Sequence, residues 1–334
     1  MTVALALALV CRIGAEGQLM TVERVIRASF VLPPGTVLAF DHRYGSISVT
    51  GTISDSVVME SRVKVSGRSA ERVRWLGEHI DVVVRFGPET LRVVTSYPDV
   101  PADDSTLCSE VDVKARVPAQ SPLVVSNVFG DVQIQGARNH CRAFARYGHI
   151  DVFGCAVAEV IGRYSDVTVQ DLRGSLAVDN DFGDVSLCDV SGRVRVANRY
   201  GRVNLERTRG HVGISNSFGD VECRQDSGVL AVDNRAGDVR AWLMDEQLAE
   251  LSLVARMGGV ELNVRPGIGS RIRGLARRGM VSAGLPLQVV EDGEWRRIAG
   301  LLGAGVSDVV LLTCNGDVVV REVTSADSSP AKRE

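Results

Sequence analysis

Residues 183–236 read GDVSLCDVSGRVRVANRY, GRVNLERTRGHVGISNSF and GDVECRQDSGVLAVDNRA, three lines of 18 residues that align without a gap. Each opens on a glycine (Gly183, Gly201, Gly219), and Gly237 opens a fourth line. Two and four residues after the glycine stand Val185 and Leu187, Val203 and Leu205, Val221 and Cys223. Seven and five residues before the next glycine stand Val194 and Val196, Val212 and Ile214, Leu230 and Val232. A spacing of two with β-branched side chains puts each pair on one face of a strand. A helix is excluded, because positions two apart do not share a face at 3.6 residues per turn.

The frame extends outward. Ser165, Gly148 and Gly130 hold the glycine position upstream at steps of 18, 17 and 18, and Gly258 follows Gly237 after 21. A repeat this short cannot bury its apolar residues alone, so it must stack on its neighbours, which also satisfies its backbone hydrogen bonds. The expected fold is all-β, a β-solenoid (β-helix) of about 18 residues per coil with strand-rich end regions.

The bends carry columns of their own. Asparagine stands three before the glycine at Asn127, Asn180, Asn198, Asn216 and Asn234, where an amide ladder can clamp stacked turns. An aromatic stands just before it at Phe129, Tyr147, Tyr164, Phe182, Tyr200 and Phe218, and these rings are expected to stack over one edge of the core. Aspartate follows it at Asp131, Asp184, Asp220 and Asp238, and reads as a turn cap. A calcium site would need several oxygen ligands, not one carboxylate per bend. Asp181 and Asp184 raise the question of a catalytic acid pair. Stacking would set them against Arg199 and Arg202, and ion pairs then account for them.

Arginine stands two before the glycine at Arg43, Arg146, Arg163, Arg199, Arg235 and Arg256. This column is either a solvated edge balanced by aspartate or a contact stripe for an anionic polymer or another protein. Arg146, Arg163, Arg199, Arg235 and Arg256 are the candidate contact residues.

No Walker, GxSxG, HExxH or dinucleotide-binding motif occurs. His42, His79, His140, His149 and His211 do not fall in one column of adjacent repeats, and no two of the seven cysteines form a CxxC pair. Cys141 and Cys223 fall in inward columns and read as small core residues. No catalytic, cofactor-binding or metal-ligating residue is identified, and no cofactor is implied. Charged residues are 24% of the chain and the net charge is -3, which speaks against nucleic acid as a partner.

The flanks carry two outlying copies of the frame. LAFDHRYGSISV at 38–49 and VVLLTCNGDVVV at 309–320 have apolar residues at −7, −5, +2 and +4 around Gly45 and Gly316, and are expected to be end coils. Ser69 followed by Val73, Leu76 and Ile80 predicts one short helix. The domain reading is therefore 1–29 an export segment or disordered lead, 30–123 a strand-rich N-terminal cap with that helix, 124–264 the regular solenoid, 265–322 irregular coils and cap with longer loops, and 323–334 a disordered tail. MTVALALALVC is too short to span a bilayer. It reads as an export segment, as a first strand, or as residues ahead of a start at Met20.

The recurring NSFGDV, DNDFGDV and SNVFGDV, the opening FVLPPGTVLAFDHRYGSISVTG and the closing VVLLTCNGDVVVRE resemble the bacterial putative adhesin family, with its strand-repeat domain of unknown function. The resemblance spans about residues 25–322. It implies a β-helical, non-catalytic structural or binding scaffold, adhesin-like, in an extracytoplasmic or envelope location. The alternatives are a carbohydrate-active enzyme on a β-helix and an intracellular protein-interaction scaffold.

Overall fold

The computed structural model describes residues 4–8, 19–99, 106–245, 248–305 and 307–323. The chain divides into two compact units, Met1–Ser165 and Asp166–Glu334. The described residues form an almost entirely β fold of repeating parallel strands.

In the second unit residues 167–182 pair in parallel with Val185–Tyr200, that strand with Val203–Phe218, and that with Val221–Ala236. The register is the sequence period, with Val185 opposite Val203 and Val203 opposite Val221. The next repeat, Val239–Leu243 with Leu248–Met257, takes up two of its three extra residues ahead of Leu248 and the third in a register shift between Leu248 and Glu250. In the first unit Leu123–Phe129 and Val132–Gln135 pair in the same way with His140–Phe153. Every residue of the four apolar columns between Val132 and Leu262 is at most 4% exposed. Cys141 and Cys223 are among them, as small core residues.

The chain of the second unit turns through positive φ once within each long strand and again between successive strands. Asp171, Asp189 and Arg207 have φ of 49°, 54° and 50°, the left-handed region, and Gly174, Gly192, Gly210 and Gly228 follow at positive φ. The column glycines mark the other bend. Gly201 has φ 135°, and a Cβ there would collide with the carbonyl of Gly183, so both conformation and close stacking demand glycine.

The two terminal copies sit one layer further in than expected. In the first unit Val37–Asp41 and Ile47–Thr52 lie between the 123–135 repeat and an outer layer of Thr90–Ser96 and Cys108–Pro118. In the second unit Ser307–Asn315 and Val318–Glu322 lie between the 248–264 repeat and an outer layer of Ser270–Arg277 and Val281–Ala283. Neither copy is the end coil. In each unit an excursion of the chain is laid outside it, because the copy would otherwise leave an unpaired edge.

Beyond Cys108–Pro118 the first unit continues as antiparallel strands Ser56–Gly67 and Met20–Val31, with Ala4–Ala8 on 25–29. The expected lead thus contributes strands, Ala4–Ala8 and the first part of Met20–Val31, while its residues 1–3 and 9–18 lie outside the described residues, as does the tail from 324. The predicted helix spans Ala70–His79, capped by Ser69, with Val73, Leu76 and Ile80 buried. Residues 265–305, expected as longer loops, are mostly strands: Trp295–Leu302 pairs antiparallel with Ser270–Arg277, and Gln288–Asp292 with Trp295–Leu302. No helix among the described residues is long and apolar enough to cross a membrane.

Candidate functional site

The glycine bend is where the sequence placed its candidates. Its asparagines clamp successive turns. Asn216 Nδ2 donates to the carbonyls of Gly201 and Gly219 at 3.4 and 3.0 Å, and Asn234 Nδ2 to those of Gly219 and Gly237 at 2.9 and 3.0 Å. In the first unit Asn127 does the same with Gly45 and Gly130. His42 occupies the asparagine position in the Gly45 copy. It is buried and bonded through Nδ1 to Thr95 Oγ1 at 2.8 Å, and burial pulls its pKa down to about 4.

The aspartates act on the backbone. Asp184 Oδ1 accepts the N–H of Arg202 at 2.7 Å, Asp220 Oδ1 that of Asp238 at 2.9 Å, and Asp131 Oδ1 that of His149 at 2.8 Å. The side-chain ion pair expected between Asp184 and Arg202 is replaced by this backbone bond, because the +1 amide lies directly above the carboxylate in the next repeat. The Asp184 carboxylate is thus a turn cap.

The rings stack as predicted but do not close the core. Phe182, Tyr200 and Phe218 lie 4.8–4.9 Å apart and nearly parallel in the second unit. Tyr44, Phe129, Tyr147 and Tyr164 do so at 5.0–5.4 Å in the first, with Tyr97 edge-on to Tyr44. From Phe129 to Phe218 the rings are 36–53% exposed. Stacked in this way they present edges to solvent, so a ligand that needs a free ring face has little to lie on.

Beside the rings lie the candidate arginines. Arg146, Arg163, Arg199, Arg235 and Arg256 are all exposed. In the second unit Arg199 and Arg235 are separated by the Ser217 repeat. Arg235 lies 5.9 Å from the centre of the Phe218 ring, and Arg256 is paired with Asp233 at 2.9 Å, which raises its pKa. Arg256 therefore offers less free charge than its column position suggested. Arg146 and Arg199 have no ion-pair partner among the described residues.

The other bend of the second unit was missed from the sequence. Asp171, Asp189, Arg207, Arg209 and Asp226 line a polar depression of about 540 Å³. Arg207 Nε bonds Asp189 Oδ1 at 2.8 Å and Arg209 Nε bonds Asp226 at 3.2 Å, and the Arg207 bond holds the Asp189 carboxyl at about 2. Arg207 also reaches Cys188 Sγ at 2.6 Å. The glycines at 174, 192, 210 and 228, 18 apart, were the signal. The depression's charges are mutually paired. Cys108, Cys141, Cys155, Cys188, Cys223 and Cys314 are free thiols, and the described residues contain no group of three or more His, Cys, Asp or Glu able to hold a metal ion.

No family model matches the sequence, and no curated protein does. Among solved structures the chain is similar to a putative adhesin from Bacteroides fragilis, 12% identical over 90% of this chain and 97% of that one, with a TM-score of 0.31. It is similar to a putative adhesin from Parabacteroides distasonis, 10% identical over 90% and 97%, with a TM-score of 0.32. A putative lipid binding protein from the same species is 10% identical over 92% and 98%, with a TM-score of 0.28. The chain thus bears a weak but consistent structural similarity, at low identity and over most of its length, to several bacterial proteins described as putative adhesins.

Proposed function

We propose that the chain is a β-solenoid that works as a non-catalytic, adhesin-like binding scaffold at the cell envelope, and that its arginine column meets the partner. One observation carries this reading. The other polar groups of the glycine bend bond between repeats, asparagine amide to carbonyl and aspartate carboxylate to N–H, whereas Arg146 and Arg199 are exposed with no ion-pair partner among the described residues. Side chains that recur at strand spacing suit an extended partner. The domain reading of caps around a regular middle belongs to the same proposal.

Replacing Arg199 and Arg235 with glutamine, and measuring retention on envelope fractions at two salt concentrations, tests it. Retention should fall several-fold and depend less on salt. Unchanged retention with an unchanged melting curve would remove the arginine column from the reading. Glycan cleavage that disappears on Asp181→Asn with Asp184→Asn would overturn the non-catalytic role.

A further inference from the structure

A groove of about 680 Å³ lies on the antiparallel sheet of the first unit. Four strands form its floor: Met20–Val31, Ser56–Gly67, Cys108–Pro118 and Ile47–Thr52. Their registers set two cross-strand rows side by side. One runs Arg27, Glu60, Lys114, Ser48, and the other Ser29, Val58, Arg116, Thr50.

Elsewhere on this face opposite charges are matched across strands. Lys64 stands between Glu23 and Glu110, and Arg62 stands opposite Asp112. In the groove Glu60 stands opposite both Arg27 and Lys114, and Arg116 has only Val58 and Thr50 opposite it. Arg27 is paired with Glu60 at 2.8 Å, while Lys114 and Arg116 have no ion-pair partner among the described residues. Three cations then face one carboxylate. Ser29, Ser48 and Thr50 line the same groove, and their hydroxyls carry no hydrogen bond among the described residues. Like charges at Lys114 and Arg116, two residues apart on one face of a strand, repel each other unless an anion lies between them.

We propose that this groove binds an acidic oligosaccharide, with its carboxylates on Lys114 and Arg116 and its hydroxyls on Ser29, Ser48 and Thr50. Where they line the groove all four floor strands are paired on both sides, so an extended peptide finds no free backbone edge there. Recognition must come through side chains, and this set mixes cations with hydroxyls as a uronic-acid chain mixes carboxylates with hydroxyls. No aromatic ring lines the groove, which leaves charge as the discriminating contact. From Ser29 to Thr50 it spans three strand spacings, about 14 Å.

Titration calorimetry with tetragalacturonate tests the site, with maltotetraose, monomeric galacturonate and inorganic phosphate as comparisons. Tetragalacturonate should bind one to one, and Lys114→Gln with Arg116→Gln should weaken it about tenfold or more. Glu60→Gln should strengthen it, a sign that a merely structural role would not give. Arg199→Gln with Arg235→Gln should leave it unchanged, so failure here and failure of the arginine column are separable. The proposal falls if tetragalacturonate does not bind, if the Lys114 and Arg116 variant binds as well as the parent, or if maltotetraose, the monomer or phosphate binds equally tightly.

Discussion

The two units finish their repeats by the same device and seal it differently. In each, an excursion of the chain lies outside the terminal copy, 90–118 beyond 37–52 and 270–283 beyond 307–322. In the first unit the outer layer continues into two 12-residue antiparallel strands, on which the helix Ala70–His79 buries Val73 and Leu76. In the second it continues into a hairpin whose last strand, Gln288–Asp292, is exposed on both faces. Val289, Val290, Leu301 and Met280 remain open to solvent there. The repeat therefore does not specify its own termination. The apolar content of the flanking segment decides whether the outer layer is covered or left exposed.

The strongest way to break this comparison is Val73→Asp. Val73 is 0% exposed, and an unpaired carboxylate there should cost about 4 kcal/mol or more. Loss of soluble, cooperatively folding protein is expected, and an unchanged melting temperature would mean that the helix seals nothing.

A smaller effect is expected from His42, in the same unit. Its folded pKa of about 4 lies below the unfolded 6.5, so between these values the unfolded chain binds the extra proton. Stability is then fully present above pH 6.5 and declines as pH falls toward 4, by at most about 3 kcal/mol. His42→Asn, which restores the residue of the other repeats, should flatten urea-unfolding stability across that window. A slope that persists in the variant would assign it to other groups.

The smallest effect should come from Val290→Asp. At 55% exposure the substitution should change stability by about 0.5 kcal/mol or less, yet reduce concentration-dependent association measured by sedimentation. A large loss of stability would show that the rim is sealed after all.

What was legible in the sequence is what short-range pattern controls. Val185, Val203 and Val221 are buried and opposite one another because alternation fixes a strand's inner face and an 18-residue period fixes its register. Ser69 with Val73, Leu76 and Ile80 announced the helix for the same local reason. The five candidate arginines are exposed, but their charge balance was not readable, because Asp233 reaches Arg256 from the neighbouring repeat.

The sequence by itself determined the strand period, the inward columns and the clamped bends, since each follows from side-chain direction and turn chemistry within one repeat. Only the tertiary structure decided which segment lies outside Gly45 and Gly316, how far each rim is sealed, and that Arg27, Glu60, Lys114 and Ser48 form one row. Those outcomes depend on strands far apart in sequence choosing one another, and a pairing of that kind is selected by the summed burial and register of whole segments, which no local pattern records.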